Sequence, residues 1–275
     1  SGLGLSGVVF GFAVLGQELV PTAVAAGISG AGLFCLFLYW RHAQVTPHAV
    51  IDLKLLRYAT FRAGVVGAGF FRVGIGALPF LLPLMFQLSF GLSPFASGLL
   101  TFAASAGAMA MKFTAAPILR WLGFRRVLVG NLLICSGFIA ANALFTPLTP
   151  HWIITMVLLA GGFLRSLEFT ALNAITYAEV EAEEMSRATS FASVAQQVSL
   201  SLGVALAGMV LELMRGSRGE TAVTQGDFTV AFVVVAAVSA LSLIFFLGLP
   251  KNAGAELSGR KVELADPRSE VQNPP

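Results

Sequence analysis

Charge is scarce in this sequence. Asp, Glu, Lys and Arg make up 11% of its 275 residues, where soluble domains carry about 25%. Hydrophobic residues supply 56% and the mean hydropathy is +0.83. A water-soluble globule of this length has no way to bury so much apolar surface. Cysteine is equally sparse. Cys35 and Cys135 each sit in an apolar run, which excludes a disulfide scaffold and reads as small core side chains. His42, His48 and His151 fall in predicted loops without ligand spacing, so no metal centre is expected. No basic run interleaves with aromatics, and the net charge is only +3, which argues against nucleic acid as a partner. No nucleophile stands with a base, so an enzyme is not expected. The chain opens on Ser1-Gly-Leu-Gly-Leu without the basic n-region of a signal peptide. The expectation is a chain that begins partway through a helix.

What is present is long hydrophobic runs. A helix needs about 20 apolar residues to cross the hydrocarbon. With Gly, Pro and charge as punctuation, the sequence predicts an all-α membrane protein of about eight transmembrane helices. They cover 1–16, 21–40, 60–88, 94–119, 126–146, 151–178, 187–214 and 228–249. Residues 42–59 read as a polar loop with a short interfacial helix around Ile51–Arg57, and 250–275 as a disordered tail. With that tail in the cytoplasm, nearly every loop Lys and Arg falls on the cytoplasmic side. Arg215 and Arg218 fall opposite. This is the bias that the positive-inside rule requires.

Several charges interrupt the apolar runs. Arg72, Lys112, Arg165 and Glu168 lie inside predicted spans. A charge at the helix centre costs about 2.5–3.5 kcal/mol on insertion scales, so it normally faces a water-filled cavity or a partner helix. In the third span Arg72, Gly76, Pro79, Pro83 and Gln87 share a stripe. Arg72 lies roughly 18 Å into its span at the helical rise. Thr101, Ser105, Ala108 and Lys112 share another, with Lys112 read either as cavity lining or as snorkelling. The sixth span has two polar faces, one of Ser166, Thr170, Asn173 and Tyr177, the other of Arg165 and Glu168. Both cannot look squarely at one cavity. Arg165 and Glu168 are spaced to pair on one helix. Alternatively, Glu168 is a titratable carboxylate held near cations. In the seventh span Thr189, Ser193, Gln197 and Ser201 recur every fourth residue, as cavity wall or as interhelical glue. A polar interior in a polytopic protein points to a transporter.

Particular motifs add a family. Ile51-Asp52-Leu53, Leu78-Pro79, Leu82-Pro83-Leu84, Gln87, Gly91-Leu-Ser-Pro94 and Ser97-Gly98-Leu99-Leu100 resemble the fourteen-helix drug:proton antiporters of the major facilitator superfamily, the EmrB/QacA type. The loop Arg120-Trp-Leu-Gly-Phe-Arg-Arg126 is similar to the superfamily's cytoplasmic gating motif, Gly-x-x-x-Asp-Arg-x-Gly-Arg-Arg. Gly123, Arg125 and Arg126 remain. Ala116, Arg120 and Trp121 replace the first Gly, the Asp and the first Arg, so any gating ion pair has lost its acid.

The resemblance implies two central linker helices (1–41), a cytoplasmic loop (42–59), and a C-terminal six-helix transporter bundle (60–249) before the tail (250–275). It implies proton-coupled export of drugs or other toxic organic compounds across the bacterial inner membrane, with the proton as coupling ion and no cofactor. The expected partners are a small organic substrate, the bilayer, a missing N-terminal half and, in some members, a periplasmic adaptor with an outer-membrane channel. Arg72, Gln87, Lys112, Arg165, Glu168, Asn173 and Gln197 are the candidate cavity and coupling residues. A facilitator or importer of organic anions is the alternative reading, because the interior is positive. A non-transporting membrane scaffold is the remote one.

Overall fold

The computed structural model describes residues 52–219, 222–250, 253 and 254, with isolated helical positions at Val24, Gly27, Gly30, Ala31, Gly32 and Phe34. The remainder of the two expected linker helices and the expected tail lie outside the described residues. Among those described, the structure is all helical. Six helices are long and apolar enough to cross a membrane: α1 (Ala59–Leu88), α2 (Pro94–Leu122), α3 (Phe124–Leu144), α4 (His151–Thr176), α5 (Met185–Arg218) and α6 (Gln225–Leu247).

Local chemistry sets the helix ends. Ser93 Oγ accepts from the Ala96 N–H at 3.2 Å, and Pro94 fills the first helical position, so α2 starts there. It stops at Leu122 because Gly123 adopts φ 83°, ψ 154°, open essentially to glycine alone. That single residue turns the chain into α3. α5 ends on Gly219 at φ 67°, a left-handed cap. α6 opens with a capping box. Thr224 N–H donates to Asp227 Oδ2 at 2.8 Å, and Arg218, at the end of α5, also donates to that carboxylate. Asp227 is almost fully buried. Asp227→Ala therefore removes a cap and one ion pair of Arg218. The expected loss is about 1–2 kcal/mol, read as a lower Tm of the detergent-purified protein.

A short 3-10 helix, Leu53–Arg57, precedes α1 where the sequence suggested an interfacial helix. It is tied to the α4–α5 connection. Asp52 pairs with Arg187 at 3.0 Å, Arg57 with Glu184 at 3.3 Å, and Tyr58 Oη donates to Glu184 at 2.9 Å. The first turns of α1 include a π-helical segment, Ala63–Gly67.

Packing follows a two-fold pattern. The most extensive pairings are α2 with α4 and α1 with α5, followed by α1 with α6 and α3 with α4. Exchanging α1–α3 for α4–α6 maps each pairing onto its counterpart. Each repeat holds three crossings, an odd number, so α1 and α4 run in opposite directions and the repeats have inverted topology, as in many transporters. Glycines make both main crossings possible. A Cβ on Gly76 would strike the Leu200 carbonyl, and one on Gly203 the Val73 carbonyl. In the second crossing, Gly107 meets the Leu159 carbonyl and Gly162 the Ala104 carbonyl. Small residues at helix contacts let backbones approach where no hydrophobic force drives association. α1 is the interior helix, 61% buried over its most apolar window, whereas α5 is 17% buried.

Candidate functional site: a polar face and a buried carboxylate

The exposed polar residues within the spans concentrate on α2, α4 and α5. Ser105 and Lys112 on α2, Thr170 and Asn173 on α4, and Thr189, Ser193 and Gln197 on α5 are all exposed. The stripes of α2 and α4 lie side by side, because Ser166 Oγ donates to the Ala108 carbonyl at 3.0 Å. The glycine crossings supply a register between the repeats. Matching Gly107 with Gly203 sets Thr101 against Gln197 and Ser105 against Ser201. Matching Gly76 with Gly162 sets Gln87 against Asn173. The polar positions thus recur at equivalent places in both repeats, as the wall of a shared cavity would. Polar side chains at such depth are costly against lipid, so this face requires water or another part of the protein.

Arg72 is not on that face. It is 2% exposed, and its Nη1 donates to the Gly64 carbonyl at 3.0 Å, within the π-helical turn of its own helix. Its Nε has no hydrogen-bond partner among the described residues. Gly64 packs directly on Thr176, where α1 meets the end of α4. Tyr177, just beyond α4, feels Arg72. Burial holds its hydroxyl above the usual phenol range and the guanidinium draws it down. Gln87 is half-buried near the far end of α1.

The second polar face of α4 turns inward, towards α3. Glu168 is fully buried, and its Oε2 accepts from Asn131 Nδ2 at 2.8 Å. The same amide donates to the Leu164 carbonyl at 2.9 Å. Oε1 has no partner. Arg165 does not pair with it: among the described residues no carboxylate oxygen lies within 4.0 Å of that guanidinium. Arg165 instead lines a narrow cleft between α1, α3 and α4. Asn131 was not singled out from the sequence. The available signal was a lone amide within the apolar run of α3.

The gating-motif-like loop acts as a corner. Gly123 makes the turn, and Arg125 Nη2 donates to the Leu247 carbonyl at 3.0 Å. That bond places a cation at the C-terminal end of α6, where the helix dipole favours one. Arg120 and Arg126 are exposed. Among the aromatic residues, Phe71 and Phe86 are fully buried, and Phe71 packs on Phe169 at 5.9 Å between centroids.

Comparison with known proteins agrees with this architecture. A sequence model described as Major Facilitator Superfamily matches residues 1–204 and 64–273. Relatives carrying the name "Putative multidrug resistance protein MdtD" include that of Escherichia coli O6:H1, 33% identical over 86% of this chain and 50% of the relative. That of Pectobacterium carotovorum is 34% identical over 84% and 48%, and that of Klebsiella pneumoniae 32% over 86% and 50%. The chain spans about half the length of the curated relatives it matches. With its inverted three-helix repeats and these matches, this multi-pass membrane chain belongs to the major facilitator superfamily.

Proposed function

We propose that the chain forms the C-terminal part of a secondary active transporter that exports drugs or other toxic organic compounds in exchange for protons. Two central linker helices would precede the six-helix bundle, in the fourteen-helix arrangement. The other half of the transporter would rock against the polar face by alternating access. The observation that carries the reading is the repeat-related set of polar residues, half-buried Thr101 with exposed Gln197, exposed Ser105 with half-buried Ser201, and exposed Asn173 with half-buried Gln87. The names of the MdtD relatives favour drugs as substrate. We place the protein in the bacterial inner membrane with its C-terminus in the cytoplasm, from the distribution of Lys and Arg. Work with a periplasmic adaptor and an outer-membrane channel belongs to the same reading.

Energetically, one proton crossing 100 mV releases about 2.3 kcal/mol. That sustains roughly a fifty-fold substrate gradient, at about 1.36 kcal/mol per tenfold. The test uses the full-length protein in proteoliposomes with an imposed pH gradient and ethidium as the transported cation. Gradient-driven ethidium movement is expected. Gln197→Ala is expected to reduce it about tenfold, or about 1.4 kcal/mol, with unchanged yield of folded protein. Absence of any gradient-driven flux, or an indifferent Gln197→Ala variant, overturns the proposal. Lys112 on the same face favours a second reading, movement of organic anions. Flux of an anionic dye in place of ethidium would support it.

A further inference from the structure

The contact between α3 and α4 leaves two acceptors unanswered. Glu168 Oε2 accepts from Asn131 Nδ2 at 2.8 Å. The other oxygen of each group, Glu168 Oε1 and Asn131 Oδ1, is buried and has no hydrogen-bond partner among the described residues. The amide has one sensible orientation, because Nδ2 also donates to the Leu164 carbonyl at 2.9 Å. Flipped, it would set its oxygen against two acceptors. An ionised carboxylate only accepts, so while Glu168 is charged the two orphaned oxygens have nothing to offer each other. Buried acceptors left without a donor are costly. A single proton turns one of them into a donor and answers both. A carboxylic acid and a carboxamide then match twice, N–H to C=O and O–H to C=O.

We infer that in this conformation Glu168 carries a proton on Oε1 and donates it to Asn131 Oδ1, which makes Asn131 a positioning residue for the buried acid. The charged and titratable groups around the pair supply no other donor. Arg165, one turn before Glu168 on α4, has no described carboxylate oxygen within 4.0 Å. Cys135, one turn beyond Asn131 on α3, lies within electrostatic reach of Glu168 and Arg165, but a thiol is a weak donor. Lys112 of α2 is exposed on the polar face, and Arg72 of α1 is bound to the Gly64 carbonyl. The proton leaves for water only when the bond to Asn131 Oδ1 opens. The inference rests on the proposed proton coupling only for its use in transport, and the protonation is read separately.

The test is infrared difference spectroscopy of the full-length protein in lipid nanodiscs at neutral pH, parent against Glu168→Gln. An unperturbed glutamate titrates at about 4.3 and shows no carboxylic acid C=O band there. A band that Glu168→Gln removes is expected, at the lowered frequency of a hydrogen-bonded acid. Asn131→Leu is expected to shift that band to higher frequency, and Arg165→Gln to leave it in place. Absence of the band in the parent overturns the inference, because the carboxyl is then ionised. So does a band at the frequency of a free acid, or one that Asn131→Leu leaves unmoved. If Asn131→Leu fails to fold, the presence and frequency of the parent band still decide the matter. A band without gradient-driven ethidium movement keeps the acid–amide pair and sinks the transport reading. Ethidium movement without the band does the reverse.

Discussion

Gly162→Leu is expected to abolish the folded protein. A Cβ at Gly162 would collide with the Ala104 carbonyl, with the Ala104 C and Cα at 2.6 and 2.8 Å. These are backbone atoms, so no rotamer change can relieve the clash. α2 and α4 would have to separate, and this is the most extensive helix contact in the bundle. Overpacking in soluble cores costs about 1–3 kcal/mol where side chains can move. Here the whole interface moves, and in lipid no hydrophobic force restores it. Gly162→Ala should therefore cost at least about 3 kcal/mol, and leucine should leave no monodisperse protein in fluorescence-detected size exclusion. Gly107, across the same crossing, should behave alike, with its Cβ position 2.9 Å from the Leu159 C and 3.0 Å from the Phe163 N. Because the two glycines share one contact, Gly107→Ala with Gly162→Ala should cost less than the sum of the two. Gly130→Ala and Gly208→Ala, with nothing within 4 Å of the added carbon, are the controls and should be near neutral. A Gly162→Leu protein with the parent's elution profile would remove the glycine crossings from the account of the fold.

The crossing helices themselves were legible in the sequence, because twenty-residue apolar runs have few other uses. Their ends were less so. Hydropathy marks where the hydrocarbon lies, whereas caps mark where the helix stops. Reading for hydropathy started the last span at Phe228, but the helix starts at Gln225, since the Thr224–Asp227 capping box turns polar residues into a first helical turn. The same difference carries α2 past Arg120 to Leu122 and α5 past Met214 to Arg218, each stopped by a glycine at positive φ. The i, i+4 polar stripes of α2, α4 and α5 were readable because helical periodicity is local. Which stripe turned inward was not. The Arg165 and Glu168 face of α4 meets α3 through Asn131, a contact across 37 residues of sequence. Likewise, a glycine in an apolar run does not say which helix it admits. Arg72 shows the limit from the other side. Its depth was evident, but its carbonyl partner at Gly64 depends on a π-helical turn, which no simple period reveals.

Glu168→Gln, in the full-length protein, is expected to leave the fold intact and to eliminate the coupling of transport to the pH gradient. Glu168 is fully buried, one oxygen held by Asn131 at 2.8 Å and the other without a partner among the described residues. No described Lys or Arg nitrogen lies within 4.0 Å of it. A permanent structural anion would call for an ion-pair partner, because removing a charge from water costs several kcal/mol after relaxation. A carboxyl group held by one amide, with one oxygen left over, is instead what the proposed exchange of a proton calls for. Glutamine keeps the shape and an acceptor for the Asn131 N–H, so stability should stay within about 1 kcal/mol. It cannot exchange a proton. Gradient-driven ethidium accumulation should fall at least tenfold, while exchange of ethidium at equal pH on both sides continues and becomes independent of pH. Glu168→Ala separates this role from packing. It empties space beside Asn131 and strands a buried amide, a further cost of about 1–3 kcal/mol, so it should lower Tm where glutamine does not. If Glu168→Gln retains the parent's accumulation and pH profile while Glu168→Ala unfolds the protein, the carboxylate is a packing element of α3 and α4, and the proton must be carried by a residue outside these helices.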